Sequence, residues 1–159
     1  MILSVVLIVI DQMTKLMAIH GLMNQQPFVI LDGIFELHYL ENRGAAFGIL
    51  QGKKAFFIIF TILVLAFIAY IYLKRIPDEK KFRLLDGICI LFFAGALGNF
   101  IDRVFRNYVV DFFYFKLIDF PIFNVADIYV TMAAFAMIIL GLFYYKEDDY
   151  NNIFPAKKK

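Results

Sequence analysis

Four long apolar runs, separated by mixed or charged stretches, dominate the chain. Ile2 to Leu22 is 21 residues long, Ala55 to Leu73 is 19, and Leu84 to Ile101 and Ile128 to Tyr145 are 18 each. A helix needs about 20 predominantly apolar residues to cross a bilayer. The pattern therefore predicts a membrane all-α bundle of four transmembrane helices, over about 2–22, 55–73, 84–104 and 125–145. Between the first two runs the period changes. Phe35, Leu37 and Tyr39 alternate with Glu36 and His38, the signature of a half-buried strand, so a small β-sheet resting on the membrane surface is expected. Asn42 to Gly48 (NRGAAFG) is small and glycine-flanked, which suggests backbone held close to something else.

Composition supports the membrane reading. Of 159 residues 62% are hydrophobic and 19% charged, with a mean hydropathy of +0.75, too oily for an ordinary soluble domain. One integral membrane domain over 1–159 is expected, with little chain left for a separate soluble module. The opening MILSVVLIVI has no basic residues before it and no small-residue cleavage pattern after it, so it reads as a retained first span. The net charge of +2 comes from 16 scattered basic residues. They form no continuous face, and a nucleic-acid partner is not expected. Cys89 is the single cysteine; within one chain that excludes disulfides and cysteine-based zinc sites, and a buried filler role is expected.

Four spans put both termini on one side. Lys74, Arg75, Lys80, Lys81 and Arg83 in the second loop, with Lys146, Lys157, Lys158 and Lys159 in the tail, make nine basic residues; the opposite loops carry six (Arg43, Lys53, Lys54, Arg103, Arg106, Lys116). The bias places the loop at about 74–83 and the tail 146–159, expected to be mobile, in the cytoplasm. The parts at about 24–53 and 105–124 then face the outside together.

That outer interface is rich in carboxylates: Asp102, Asp111, Asp119 and Asp127. Acids at a membrane rim are costly unless paired, hydrated or useful. Asp111 is a lone charge within VVDFFYF, in an extended segment with no neutralising neighbour in sequence. Asp127, three residues after Asn124 at a helix start, is either a capping acid or a working one. Asp102 reads as an ion pair with Arg103, with Asn99 and Arg103 sharing a face at i, i+4. Asp119 beside Pro121 reads as a turn acid. In the first span Asp11 and Lys15 have the favourable acid-before-base spacing, and either tie helices together or act directly. Asp86 can cap or snorkel, and Ala94 and Gly98 form a small-xxx-small pair for close helix approach.

The inventory limits the chemistry. The single serine, Ser4, lies at the other end of the first span, which excludes a serine nucleophile. Cys89 has no histidine near it in sequence, and His20 and His38 are isolated, interfacial residues with no metal-ligand spacing. Neither a metal nor a cofactor is expected. Carboxylates remain, and two of them close together share one proton, so that one can act as base on water and the other as acid.

Five blocks carry a resemblance over nearly the whole chain: Asp11-Gln12-Met13-Thr14-Lys15, Asn42 to Gly48, Gly98-Asn99-Phe100-Ile101-Asp102-Arg103, Val109-Val110-Asp111-Phe112 and Phe123-Asn124-Val125-Ala126-Asp127. In this order the sequence resembles the bacterial lipoprotein signal peptidases, the type II signal peptidases. The resemblance implies a membrane-embedded aspartic endopeptidase of the bacterial cytoplasmic membrane. Such an enzyme removes the signal peptide from diacylglyceryl-modified prolipoproteins just before the lipidated cysteine. It further implies catalysis by Asp111 and Asp127, substrate binding by Asn42, Gly44, Asn99, Arg103 and Asn124, and structural support from Asp11, Lys15 and Asp102. A short surface helix between the first two spans, a monomeric state and contact with membrane lipid belong to the same expectation. A proton-coupled transporter, the rival from another class, should spread its acids between both faces, whereas these are mostly gathered at one.

Overall fold

The computed structural model describes residues 2–44 and 52–154, and in them the apolar runs are four long helices. These are α1 (Ile2–Leu22), α2 (Lys54–Lys74), α3 (Arg83–Phe105) and α4 (Val125–Phe143). Each is long and apolar enough to cross a bilayer. Their outward side chains are as oily as their inward ones: Val5, Phe60, Leu63, Phe135 and Leu142 are all exposed, an arrangement suited to lipid rather than water.

With apolar surface on every side, burial of oil cannot decide which faces meet. Close backbone approach does. A Cβ at Gly95 would lie 2.5 Å from the Ala126 carbonyl oxygen, and one at Gly98 would lie 2.5 Å from Asp11 Oδ2. Glycine at these two positions seats α3 against both α4 and α1. Ala94 and Gly98, the expected small pair, are both buried. Cys89 is buried too.

At one end of the bundle lies an antiparallel sheet in the order β1 (Phe28–Leu31), β2 (Phe35–Asn42), β3 (Val109–Tyr114). The β1–β2 turn has Gly33 at φ +69, a left-handed conformation that glycine adopts without strain. Along β2 and β3 the register shifts between the pairs Leu37–Phe113 and Leu40–Asp111. The bulge brings Asn42 opposite Val109, next to Asp111, and bulges re-aim side chains in this way.

Two expectations change. Along β2 the covered position is Glu36, 3% exposed, while Phe35, Leu37 and Tyr39 are half-buried. A buried carboxylate needs partners, and Glu36 has Lys116 Nζ at 2.6 Å and His38 Nε2 at 2.8 Å. His38 is thus paired rather than isolated. The tail, expected to be mobile, forms a further helix, α5 (Glu147–Ile153). Asp149 Oδ2 accepts from the Lys146 backbone N–H at 2.8 Å, and its carboxylate meets Lys81 Nζ at 2.5 Å. Ile153 packs with Phe82 and Tyr145. Those bonds hold the Asp149 carboxyl below the usual carboxylate range, the backbone donor first and Lys81 next. The stretch between β2 and α2, where a surface helix is expected, includes Ala45, Ala46, Phe47 and Gly48, which lie outside the described residues.

Candidate active site

Each acid at the sheet end is placed by the element that carries it. β3 runs past the ends of α1 and α3 and leaves Asp111 1% exposed. Asn124 ends an extended segment and caps α4. Its Oδ1 accepts from the Asp127 N–H at 3.0 Å, and Asp127 Oδ2 accepts from the Asn124 N–H at 3.1 Å. This reciprocal capping box locks the rotamer of Asp127, so the capping role and any chemical role fall on the same side chain.

Asparagine side chains join the two acids. Asn124 Nδ2 donates to Asp111 Oδ1 at 2.6 Å and to Asn99 Oδ1 at 3.1 Å. Asn99 Nδ2 donates to Asp127 Oδ1 at 2.8 Å. From β2, Asn42 Nδ2 donates to Asp111 Oδ2 at 2.8 Å, while its own Oδ1 accepts from the Gly44 N–H at 2.9 Å. Arg103 Nη2 donates to the Gly44 carbonyl at 3.1 Å, and its guanidinium lies 4.8 Å over the Phe57 ring. Asp111, Asp127, Asn42, Asn99 and Arg103 all line one cavity of about 650 Å³. It extends along α4 to Thr131 and Met132, two exposed residues, so it communicates with the apolar flank of the bundle.

Behind this wall is a buried ion cluster. Lys15, 0% exposed, has Asp11 Oδ2 at 2.9 Å and Asp102 Oδ2 at 3.1 Å, and donates to Asn99 Oδ1 at 2.8 Å. Asp11 Oδ1 accepts from the Ala126 N–H at 3.0 Å, and Asp102 Oδ2 accepts from the Val110 N–H at 3.1 Å. One cation therefore ties α1, α3, β3 and the first turn of α4 together, and sets which end of the Asn99 amide faces Asp127. The expected Asp102–Arg103 pair is replaced by Asp102 with Lys15 and Arg106. Neighbouring residues on a helix point about 100° apart, whereas Arg106 is one turn on along the same face.

Gln12 and Arg106 belong to this cluster, although from the sequence Gln12 was named only within its block and Arg106 only as a basic loop residue, with no site role for either. Gln12 Nε2 donates to Asp11, Asp102 and the Gly98 carbonyl at 3.1–3.2 Å, and its Oε1 accepts from Arg106 at 3.0 Å. An amide one residue from a buried acid was the available signal.

Burial, followed by the charge of Asp127, raises the Asp111 carboxyl to about 7, against the opposing pull of the Asn42 and Asn124 donors. An acid in this state holds a proton near neutrality. The arrangement can supply both halves of acid–base catalysis at one cavity wall. Among the described residues no group of histidine, cysteine and carboxylate side chains is disposed to hold a metal.

Comparison with known proteins places this geometry. A family model described as Signal peptidase (SPase) II matches residues 3–143. The Lipoprotein signal peptidase of Streptococcus pyogenes serotype M5 (strain Manfredo) is 38% identical over 148 residues, 93% of this chain and 93% of that protein. That of Streptococcus thermophilus (strain CNRZ 1066) is 42% identical over 134 residues, 84% of this chain and 86% of that protein. Two solved structures, each described as a bacterial membrane enzyme obtained by the in meso method, superpose with a TM-score of 0.79. One, at 2.3 Å resolution, is 34% identical and covers 99% of this chain and 93% of its own. The other, at 1.9 Å, is 36% identical and covers 91% and 92%.

Proposed function

The chain belongs to the signal peptidase II family of membrane proteases, and from that premise we propose that it cleaves diacylglyceryl-modified prolipoproteins just before the lipidated cysteine, with Asp111 and Asp127 activating water. The observation that carries this reading is the convergence of the two acids, from β3 and α4, on one cavity wall through a shared set of asparagine amides.

In this mechanism Asp111 holds the shared proton and hydrogen-bonds the scissile carbonyl oxygen. Ionised Asp127 takes a proton from a water molecule as its oxygen adds to the carbonyl carbon. Asp127 then passes that proton to the leaving nitrogen as the C–N bond breaks and the new carboxyl group forms, which leaves Asp127 ionised and Asp111 protonated, as at the start. Asn42, Asn99 and Arg103, which line the cavity, would orient the peptide, with Gly44 and Asn124 acting through their hydrogen bonds to Arg103, Asn42 and Asn99. Asp11, Lys15 and Asp102 would keep that wall rigid. The cavity's extension to exposed Thr131 and Met132 suits a substrate whose apolar helix and acyl chains arrive from lipid. The site would lie at the extracytoplasmic face of the bacterial cytoplasmic membrane, and the enzyme would act as a monomer with both termini in the cytoplasm.

Purified protein in lipid vesicles, given a lipidated precursor, tests the assignment. Asp111→Asn and Asp127→Asn should each lower the cleavage rate by at least about 10², with thermal unfolding still cooperative. Undiminished cleavage by either variant removes that residue from the chemistry.

A further inference from the structure

Outside the site lies a second set of charged residues that the catalytic reading leaves unused. Glu36 on β2 stands opposite Tyr114 in the β2–β3 ladder. It is 3% exposed, and its two oxygens are divided between Lys116 Nζ at 2.6 Å and His38 Nε2 at 2.8 Å. Lys116 opens a 3-10 turn, Lys116–Ile118, at the base of the segment that leads from β3 to α4. One residue on, the Leu117 N–H meets the Ile34 carbonyl at 3.4 Å. The turn closes at Asp119, whose carboxylate accepts from the Tyr114 hydroxyl at 2.6 Å.

That segment has a free side and a working side. From Asp119 it returns toward β3, where Phe123 exchanges backbone hydrogen bonds with Phe113 at 2.8 and 3.1 Å. Phe120, Pro121, Ile122 and Phe123, between the two attachments, line the same cavity as Asp111 and Asp127. A wall built from four consecutive loop residues keeps its shape only if both ends are held. The far end is held by the Phe113–Phe123 bridge and the start of α4. The near end is held by Tyr114–Asp119, by the Phe120 N–H on the Phe115 carbonyl at 3.2 Å, by the Phe115 ring 4.8 Å from that of Phe35 on β2, and by Glu36–Lys116, the ion pair that reaches across to β2.

We propose that Glu36, acting through Lys116, is a positioning residue that sets the shape of the substrate-lining wall 120–123 and so governs substrate binding rather than the chemical step. The inference rests on the peptidase reading for its substrate, but the anchoring itself does not. Exchanging a buried carboxylate for an amide weakens a charge-assisted bond without removing volume, so the wall loosens while the aspartates keep their own asparagine partners.

Three measurements on the full-length protein in lipid vesicles test this. Glu36→Gln and Lys116→Met should each raise KM for a lipidated precursor roughly three- to tenfold while kcat stays within about twofold, the pattern of lost uniform binding. The exchanged pair, Glu36→Lys with Lys116→Glu, should restore KM, which a merely structural role for either side chain would not produce. Hydrogen–deuterium exchange, independent of any activity, should rise at Leu117 to Phe123 in both single variants and stay unchanged at Val109 to Asp111. Unaltered exchange in the segment overturns the anchoring, even if the protein proves to act on some other substrate. A fall in kcat at constant KM, or a folded exchanged pair that recovers nothing, overturns the positioning role. Should Asp111→Asn cleave normally while exchange still rises in Glu36→Gln, the catalytic reading fails and the anchor stands.

Discussion

At the scale of single residues, the site is a balance between burial and donation. Asp111 is nearly inaccessible, yet both its oxygens accept amide donors. Burial and the Asp127 charge outweigh those donors and raise its carboxyl to about 7. The sign of the consequence follows by linkage. Between its unfolded value of 3.8 and about 7, the native protein holds a proton that the unfolded chain has lost, so this group's contribution to stability falls as pH rises through that window. Catalysis by a pair sharing one proton needs that same proton, so the cleavage rate should decline as pH rises past about 7. In Asp127→Asn the repelling charge is gone and the window's upper edge should move to lower pH, which unfolding temperature measured against pH will follow. An edge that stays in place would mean burial alone sets the Asp111 value. Lys15 shows the complementary case. Its charge has no access to solvent and is matched by two carboxylates rather than one, with Arg106 supplying the second cation to Asp102. The spacing of Asp11 and Lys15 was legible one helical turn apart. The partnership with Asp102 was not, because it depends on how α1 and α3 are rotated against each other.

At the scale of elements, sequence pattern was informative where one period dominated and silent where contacts decided. The apolar runs declared the four helices, and alternation declared β2. β1, FVIL, has no alternation and is exposed at every position, so nothing in its pattern separates it from a loop. α5 was missed because six of its seven residues are polar or aromatic and only Ile153 is aliphatic. It is held by its cap, by the Lys81–Asp149 ion pair, by the Tyr150 hydroxyl on the Gly141 carbonyl at 2.8 Å and by Ile153 packed with Phe82 and Tyr145. The glycines of α3 were legible as small, but their partners were not. Gly95 faces the Ala126 backbone and the Val130 side chain, whereas Gly98 faces the carboxylate of Asp11. Backbone cannot rotate away, so Gly95→Ala should push α3 and α4 apart and destabilise the protein by about 1–3 kcal/mol. The Asp127 turn would move with the helix, and cleavage should fall in step with the lowered unfolding temperature. A Gly95→Ala protein as stable as its parent would show that the α3–α4 seam tolerates an added methyl and that helix proximity does not hold the site.

At the scale of the whole molecule, the two ends of the bundle are built differently, and that difference bears on sidedness. One end carries the sheet, the acid pair and the cavity. The other carries the α2–α3 loop and α5, fastened together by Lys81–Asp149 and by Phe82, Tyr145 and Ile153. In the proposed topology the α5 end faces the cytoplasm, a reading supported by nine basic residues against six, counted by loop. The proposed substrate would require the same orientation, because the bond to be cut would lie where an exported precursor emerges from the membrane. These two arguments are independent, one from charge and one from the reaction. Both are tested by labelling in intact cells. In a Cys89→Ala background, Asp32→Cys in the β1–β2 turn should react with a membrane-impermeant maleimide, and Asp148→Cys on α5 should react only after lysis, both positions being exposed on the protein surface. Labelling of Asp148→Cys alone in intact cells would invert the protein in the membrane. The acid pair would then face the cytoplasm, out of reach of an exported precursor, and the proposed substrate would have to be abandoned while the family fold remained.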